Sequence, residues 1–395
     1  MDPVRNPFAP GAGNPPPELA GRQDILEQAT IVLARAEQGR HAKSLMLVGL
    51  RGVGKTVLLN RILQIAEERK LRAHMIEAPE DKSLPELLLP VLRKILIGLD
   101  RTGAMSAVVR RSLRIVAGFA KSLKVKHGDF EIGLDIDPEH GVGDSGDLDN
   151  DLPEVMIALG EAAKARGTAV VLLIDELQYI KEAELSALVM GLHKTSQRQL
   201  PVVLMGAGLP QLVGNMGRSK SYAERLFEFP EIGPLARADA ETAITEPVTQ
   251  AGERIQKAAV DAIIAATQGY PFFLQAWAYH SWNEAEASPI TKAHVAAAHI
   301  KVRQNLDGSF FRMRFERLTP SEKRYLRAMA ELGPGPHRSG DIADILGVKV
   351  TSIAPVRGNL IAKGMIHAPA HGDTAFTVPL FDDFMKRQMP VLEGR

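Results

Sequence analysis

Apolar residues along this chain follow two rhythms. In "SLMLVG", "AVVLLID" (Ala169 to Asp175) and "PVVLMG" (Pro201 to Gly206) they stand side by side without polar alternation, as in strands covered on both faces. "RAHMIEA" and "RLFEFPEI" predict two shorter strands. Elsewhere the spacing is three and four residues, which predicts helices at "GRQDILEQATIVLARAEQGR", from Lys55 to about Lys70, and through the whole stretch after Arg237. Strands separated by helices imply an α/β fold, a parallel sheet with helices on both faces.

About ninety residues separate the second strand from "VVLLID", more than one connection needs. They predict an amphipathic helix over Leu84 to Leu99, a basic helix over about Ala104 to Leu123, a hairpin in "KVKHGDFEIGLDID", a solvated acidic loop, and a helix over Leu152 to Ala165. After Arg237, helices are predicted near 239–251, 257–267, 271–284 and 291–306, with Asp239 and Thr291 as N-caps. The aromatics of "FFLQAWAYHSW" suit the core of that helical stretch. The last eighty residues change again: "LTPSEKRYLRAMAEL", "SGDIADILG" and "VTSIAPVRGNLIAKG" give three short helices, and "MIHAPAHGDTAFTVPL" gives two strands around a turn. Three helices and a hairpin are the pattern of a winged helix-turn-helix. The predicted organisation is a nucleotide-binding core over 1–235 with an insertion at about 80–150, a helical lid over 236–312, and a winged helix over 313–395. The Pro/Gly-rich leader to Pro17 is expected to lie extended and dock on the rest.

Composition narrows the class. With 45% hydrophobic and 24% charged residues the chain reads as globular and soluble, and no apolar run approaches the roughly 18 residues that span a bilayer. The absence of cysteine removes disulfides and thiolate chemistry and suits a cytoplasmic protein. The net charge of +1 hides segregation: Arg101 to Lys126 holds seven Lys/Arg and no acid, Asp129 to Glu154 ten Asp/Glu and no Lys/Arg, and 300–395 fifteen Lys/Arg against ten Asp/Glu. Basic surface of this kind suits nucleic acid, or simply a solvated face.

The chemistry begins at "GLRGVGKT", Gly49 to Thr56, a complete G-x-x-x-x-G-K-[ST] between a predicted strand and a predicted helix. Gly49, Gly52 and Gly54 let backbone N–H groups, with those of Val53 and Val57 beside them, curl around the phosphates of ATP. Lys55 reaches the β and γ phosphates, and the Thr56 hydroxyl is offered to Mg²⁺. In "VVLLIDE" a buried strand ends in Asp175, which can hold Mg²⁺ through water, and Glu176 follows as the general base for an attacking water. Lys55 and Glu176 are thus candidate catalytic residues for ATP hydrolysis. Arg225, in "SYAERLFEF", is the candidate arginine finger for a neighbouring subunit of a homo-oligomer, with a surface ion pair of Arg225 or Arg218 as the alternative.

Together these residues resemble the AAA+ ATPases, in particular the initiator-like clade of origin-recognition and Cdc-type subunits and the neighbouring STAND group. "PPELAGRQDIL" looks like the family's adenine-flanking box, and the resemblance would place Leu19, Gly21 and Arg22 near the base. Two features depart from the AAA+ pattern. The fourth strand runs into "MGAGLPQL" without a polar sensor, and the lid helix opening "GYPFFLQAWAYHSW" has no Arg or Lys. Gly269-Tyr270-Pro271 instead resembles the G-x-P element in which the proline, here Pro271, packs near the nucleotide. Pro271 is equally an ordinary first residue of a helix. The resemblance implies a slow ATPase that works as a switch.

In a winged helix the segment Thr351 to Lys363 would enter the major groove of duplex DNA. Thr351, Ser352, Arg357, Asn359 and Lys363 are able to contact it, His367 and His371 lie near the wing, and Ala354, Val356, Leu360 and Ile361 are the expected core. Winged helices also dock protein partners, so a STAND-like switch that recruits a protein without binding DNA stands as the alternative. "DSGDLDNDLPE" lacks the spacing of a calcium loop, and His280, His294 and His299 lack that of a catalytic metal site.

Overall fold

A computed structural model of the chain describes residues 1–11, 13–99, 106–123 and 137–392. The chain forms two compact units. One comprises 24–48 and 55–231; the other comprises 1–23, 49–54 and 232–395.

The first unit is the α/β layer. Helix α1 (Gln23–Glu37) precedes β1 (Ser44–Val48), α2 (Lys55–Glu68) and β2 (Arg72–Glu77). Three helices follow, α3 (Leu84–Gly98), α4 (Ala107–Ser122) and α5 (Leu148–Ala165). The layer then closes with β3 (Val170–Asp175), α6 (Glu182–Gln197), β4 (Val202–Gly208), α7 (Gln211–Ser219), α8 (Ala223–Leu226) and β5 (Phe227–Glu228). The strands pair in the order β2-β3-β4-β1-β5, and every pair is parallel. Burial explains the unbroken apolar runs: all residues of β1 and β3 are buried, since helices cover both faces of a parallel sheet.

The insertion departs from its sequence reading in one respect. The predicted hairpin lies in 124–136, outside the described residues, as does the start of the basic helix. Helix α5, however, begins at Leu148, four residues before its predicted start, and takes in the end of the "acidic loop". Asp147 caps it through the Asp149 N–H at 3.1 Å, and Asp149 and Asp151 fill a first turn where the helix dipole favours acids. Asp151 is not solvated at all. Its side chain is 2% exposed and accepts from Ser145 N and Oγ (3.0 and 2.8 Å) and Gly146 N (2.8 Å).

In the second unit α9 (Arg237–Gln250), α10 (Lys257–Thr267), α11 (Pro271–Glu284) and α12 (Lys292–Asn305) form the helical stretch. The cap of α9 is Ala236, not Asp239, which falls inside the first turn. The reason is upstream: the Leu235 N–H donates to Gly269 O at 2.9 Å, so the chain turns into helix earlier than Asp239. Thr291 does cap α12, in a reciprocal box with His294. Past α12 the helix continues as a π segment (Leu306–Phe311) into α13 (Arg312–Glu316). The widened turn carries Phe310 and Phe311 into the interior: Phe310 stacks on Phe272 with centroids 4.7 Å apart, and Phe311 meets Phe273, Phe381 and Phe384.

After it come α14 (Pro320–Glu331), β6 (His337–Arg338), α15 (Ser339–Leu346), α16 (Val350–Ala362), β7 (Ile366–His367), β8 (Asp373–Phe376) and α17 (Phe381–Gln388). The strands form one antiparallel sheet in the order β6-β8-β7, the element order of a winged helix. It shares one apolar core with α9 to α12, from Ile244 and Trp277 through Phe311 to Phe384. The leader docks on the same unit. Asn6 Nδ2 donates to Tyr279 O at 2.9 Å, Trp282 Nε1 donates to Asp2 O at 2.9 Å, and Phe8 is buried against Val248 and Trp282. Among the described residues, no helix is long and apolar enough to cross a membrane.

Asp151→Ala should remove the buried acceptor that ties the Ser145 and Gly146 N–H groups to the first turn of α5. Hydrogen bonds to a charged group contribute about 1.5–3 kcal/mol, so the urea midpoint for loss of helical signal should fall clearly, and an unchanged midpoint would show that Asp151 is dispensable.

Candidate functional site

The phosphate loop joins β1 to α2, and its three glycines differ in what they do. A Cβ on Gly49 would lie 2.1 Å from the Ile232 carbonyl oxygen, whereas Gly52 and Gly54 have φ of 81° and 94°. Side chains strain such left-handed backbone. The loop is also held from outside by main-chain bonds. The Phe272 N–H donates to Gly52 O at 3.1 Å, and the Arg51 N–H donates to Thr377 O at 3.1 Å. Thr377 is completely buried and fixed in turn, its hydroxyl donating to Gly364 O (2.6 Å) and Met365 O (3.0 Å). Val53 is 1% exposed.

Arg22, expected near the base, serves this loop. Its guanidinium donates to Val53 O at 3.3 Å and Gly233 O at 2.5 Å. Burial lowers its pKa, opposed by the charge of Asp239. Gly21 lies against Asp239, Leu19 is half-buried, and Pro271 opens α11 as its first residue, directly before the Phe272 that holds Gly52. Pro271 stands as the first residue of its helix, the ordinary place for a proline.

The acidic half of the motif lies in the sheet unit. Lys55 and Thr56 open α2, and Val57 is half-buried behind them. Lys55 is 7% and Asp175 3% exposed, and Thr56 Oγ1 donates to Asp175 Oδ2 at 2.5 Å. Desolvation pushes the Asp175 carboxyl above the usual carboxylate range, and the adjacent Glu176 adds to this; the Thr56 hydroxyl and the Lys55 charge pull the other way. A hydroxyl and a desolvated carboxylate in contact are hard oxygen donors that suit Mg²⁺. Glu176 sits at φ 55°, ψ 37°, a left-handed residue that turns the chain off β3 into the short helical turn Leu177–Tyr179.

Sequence reasoning missed Gln178. Its Nε2 donates to Glu176 Oε2, and its Oε1 accepts the Leu209 N–H at 3.0 Å. The bare end of β4 makes room for this turn: a Cβ on Gly206 would fall 2.1 Å from Leu177 Cδ1, and one on Gly208 2.9 Å from Gln178 Oε1. The signal lay in "DELQ" facing "GAG". The polar side chain beside the bare end of β4 comes from the turn that follows β3.

Other candidates are placed as follows. Arg225 is exposed on α8, while Arg218 makes a surface pair with Glu182 at 3.4 Å. On α16, Arg357 turns inward, Nε to Thr374 Oγ1 (3.0 Å) and a terminal nitrogen to Asp373 O (2.9 Å). Lys363 donates to the buried Glu322 at 2.7 Å and to Arg317 O at 3.1 Å. Both cations expected on DNA are thus engaged inside the fold. Thr351, Ser352, Asn359 and His371 are exposed, and His367 is half-buried. Ala354 is exposed rather than core, because the phase of α16 turns Ile353 and Leu360 inward; Val356 and Ile361 are half-buried.

Comparison with known proteins agrees with this architecture. Residues 18–205 match the model of an AAA ATPase domain, and residues 308–385 match that of a domain of unknown function. No curated protein matches the chain. Among solved structures, the Walker-type ATPase PABY2304 of Pyrococcus abyssi has a TM-score of 0.56 at 15% identity, covering 93% of this chain and 96% of that one. The Aeropyrum pernix Orc1 protein, solved in complex with DNA, has a TM-score of 0.48 at 16% identity, covering 98% and 96%. At these identities the likeness is one of fold. With a complete phosphate loop, an acidic pair where the third strand ends and a matching model over 18–205, that part of the chain is an AAA ATPase domain.

Proposed function

We propose that this protein binds ATP with Mg²⁺, hydrolyses it slowly, and uses the nucleotide state to switch its winged helix. The observation that carries the reading is the buried Asp175 carboxylate held by the Thr56 hydroxyl, with Glu176 next in the chain. In this reading Gly49, Gly52, Val53, Gly54 and Val57 furnish the phosphate cradle, and Lys55 faces the β and γ phosphates. Thr56 and Asp175 hold the metal. Bound Mg²⁺ would supply neutralisation of phosphate charge. Glu176 orients and deprotonates the attacking water, and the exposed Arg225 is offered to a second copy of the chain.

The switch reading draws on the bond from Arg51 N–H to Thr377 O. Any change in the curl of the phosphate loop moves the Arg51 amide, and Thr377 is fastened to the core of the winged helix. The output favoured is a protein partner, because Arg357 and Lys363 are both occupied within the domain. Duplex DNA is the second reading, supported by the surplus of Lys/Arg over 300–395 and by the exposed Arg338 and Lys349 beside the wing and α16.

Three variants test the chemistry. Lys55→Ala should abolish ATP binding by calorimetry. Glu176→Gln should keep binding but lower turnover by about 10²–10⁴-fold, and Asp175→Asn should remove the Mg²⁺ dependence of binding. Turnover unaffected in both Lys55→Ala and Glu176→Gln would sink the hydrolysis reading. For the output, fluorescence anisotropy with a labelled duplex at low salt should show no binding in any nucleotide state. Binding that weakens steeply with salt and falls in an Arg338→Ala/Lys349→Ala variant would establish the DNA reading instead.

A further inference from the structure

The Gln178 carboxamide has its orientation fixed from both ends. A backbone N–H can face only its oxygen, and Leu209 N–H does so at 3.0 Å; the nitrogen is then left for the Glu176 carboxylate, which accepts it at Oε2. Gly208 gives the amide its space, since a Cβ there would lie 2.9 Å from Gln178 Oε1. Leu177, fully buried where Gly206 leaves room, fastens the turn that carries both residues. Glu176 itself stands in left-handed backbone, with its N–H donated to Asp175 Oδ1 at 2.8 Å. Its backbone is thus fixed by Asp175 and its side chain by Gln178.

We propose that Gln178 is the positioning residue for Glu176, setting the carboxylate at the angle from which it activates water and tying that angle to the end of β4. The proposal rests on the hydrolysis reading of Glu176. A general base is effective only within hydrogen-bond reach and alignment of the water, and a misplacement of about 1 Å costs on the order of a hundredfold in rate. Gln178 does not touch the reacting atoms in this scheme; it acts through Glu176. It takes over the place of the missing polar residue on β4, and because its other end holds Leu209, displacement of the segment leading into α7 would carry the carboxylate with it.

The test separates a catalytic effect from a folding effect. Gln178→Glu keeps an oxygen for the Leu209 N–H but loses the donor to Glu176; Gln178→Ala loses both. Both should lower kcat for ATP by about a hundredfold, with the Kd for ATP of Gln178→Glu unchanged. In a Glu176→Gln background, Gln178→Glu should lower kcat no further, because the carboxylate it positions is gone; a purely structural role would show the same loss in both backgrounds. Should Gln178→Ala fail to fold, Gln178→Glu decides alone. An unchanged or raised kcat in Gln178→Glu, or equal losses in the two backgrounds, overturns the proposal. Full turnover in Glu176→Gln would instead reject the hydrolysis reading beneath it.

Discussion

Holding a carboxyl group at the end of an otherwise apolar strand is the constraint on which the sheet unit depends. Asp175 is drawn out of water by the burial of β3, and an isolated charge there would protonate rather than persist. Three groups oppose that: the Thr56 hydroxyl, the Glu176 N–H and the charge of Lys55. Two of them come from the first turn of α2, which is why the strand order matters. With β4 lying between β3 and β1 in a parallel sheet, strand ends and helix beginnings collect on one edge, the place where open α/β sheets bind ligands.

The other unit is organised by aromatic packing. Phe272, Phe273, Phe310, Phe311, Phe381 and Phe384 form one connected set of rings that runs from the lid helix through the π segment to the last helix. Lid and winged helix therefore have a common interior. A disturbance at the start of α11 meets no soft boundary before it reaches α17.

The strands and the phosphate loop were legible because their signals are local: unbroken apolar runs, and glycines at fixed offsets before Lys55. Helices announced themselves by spacing, and Thr291 by its capping chemistry. What was illegible depended on partners distant in sequence. Asp151 is the local exception: its donors, the Ser145 and Gly146 N–H groups and the Ser145 hydroxyl, stand five and six residues back in a turn whose direction no composition reveals. Arg357 and Lys363 looked free because Thr374 and Glu322 lie 17 and 41 residues away. Gln178 was overlooked because its contact with Leu209 lies 31 residues away, at the end of β4. Asp239 missed its cap because Gly269 had already turned the chain.

Two of the bonds that hold the phosphate loop, Phe272 N–H to Gly52 O and Arg51 N–H to Thr377 O, run from main chain to main chain. No side chain takes part in either. A lineage of such chains is therefore free to exchange Arg51 while the connection endures, proline excepted because it has no N–H to give. A linkage written in backbone atoms is invisible to residue identity, and two chains sharing few residues can share it whole.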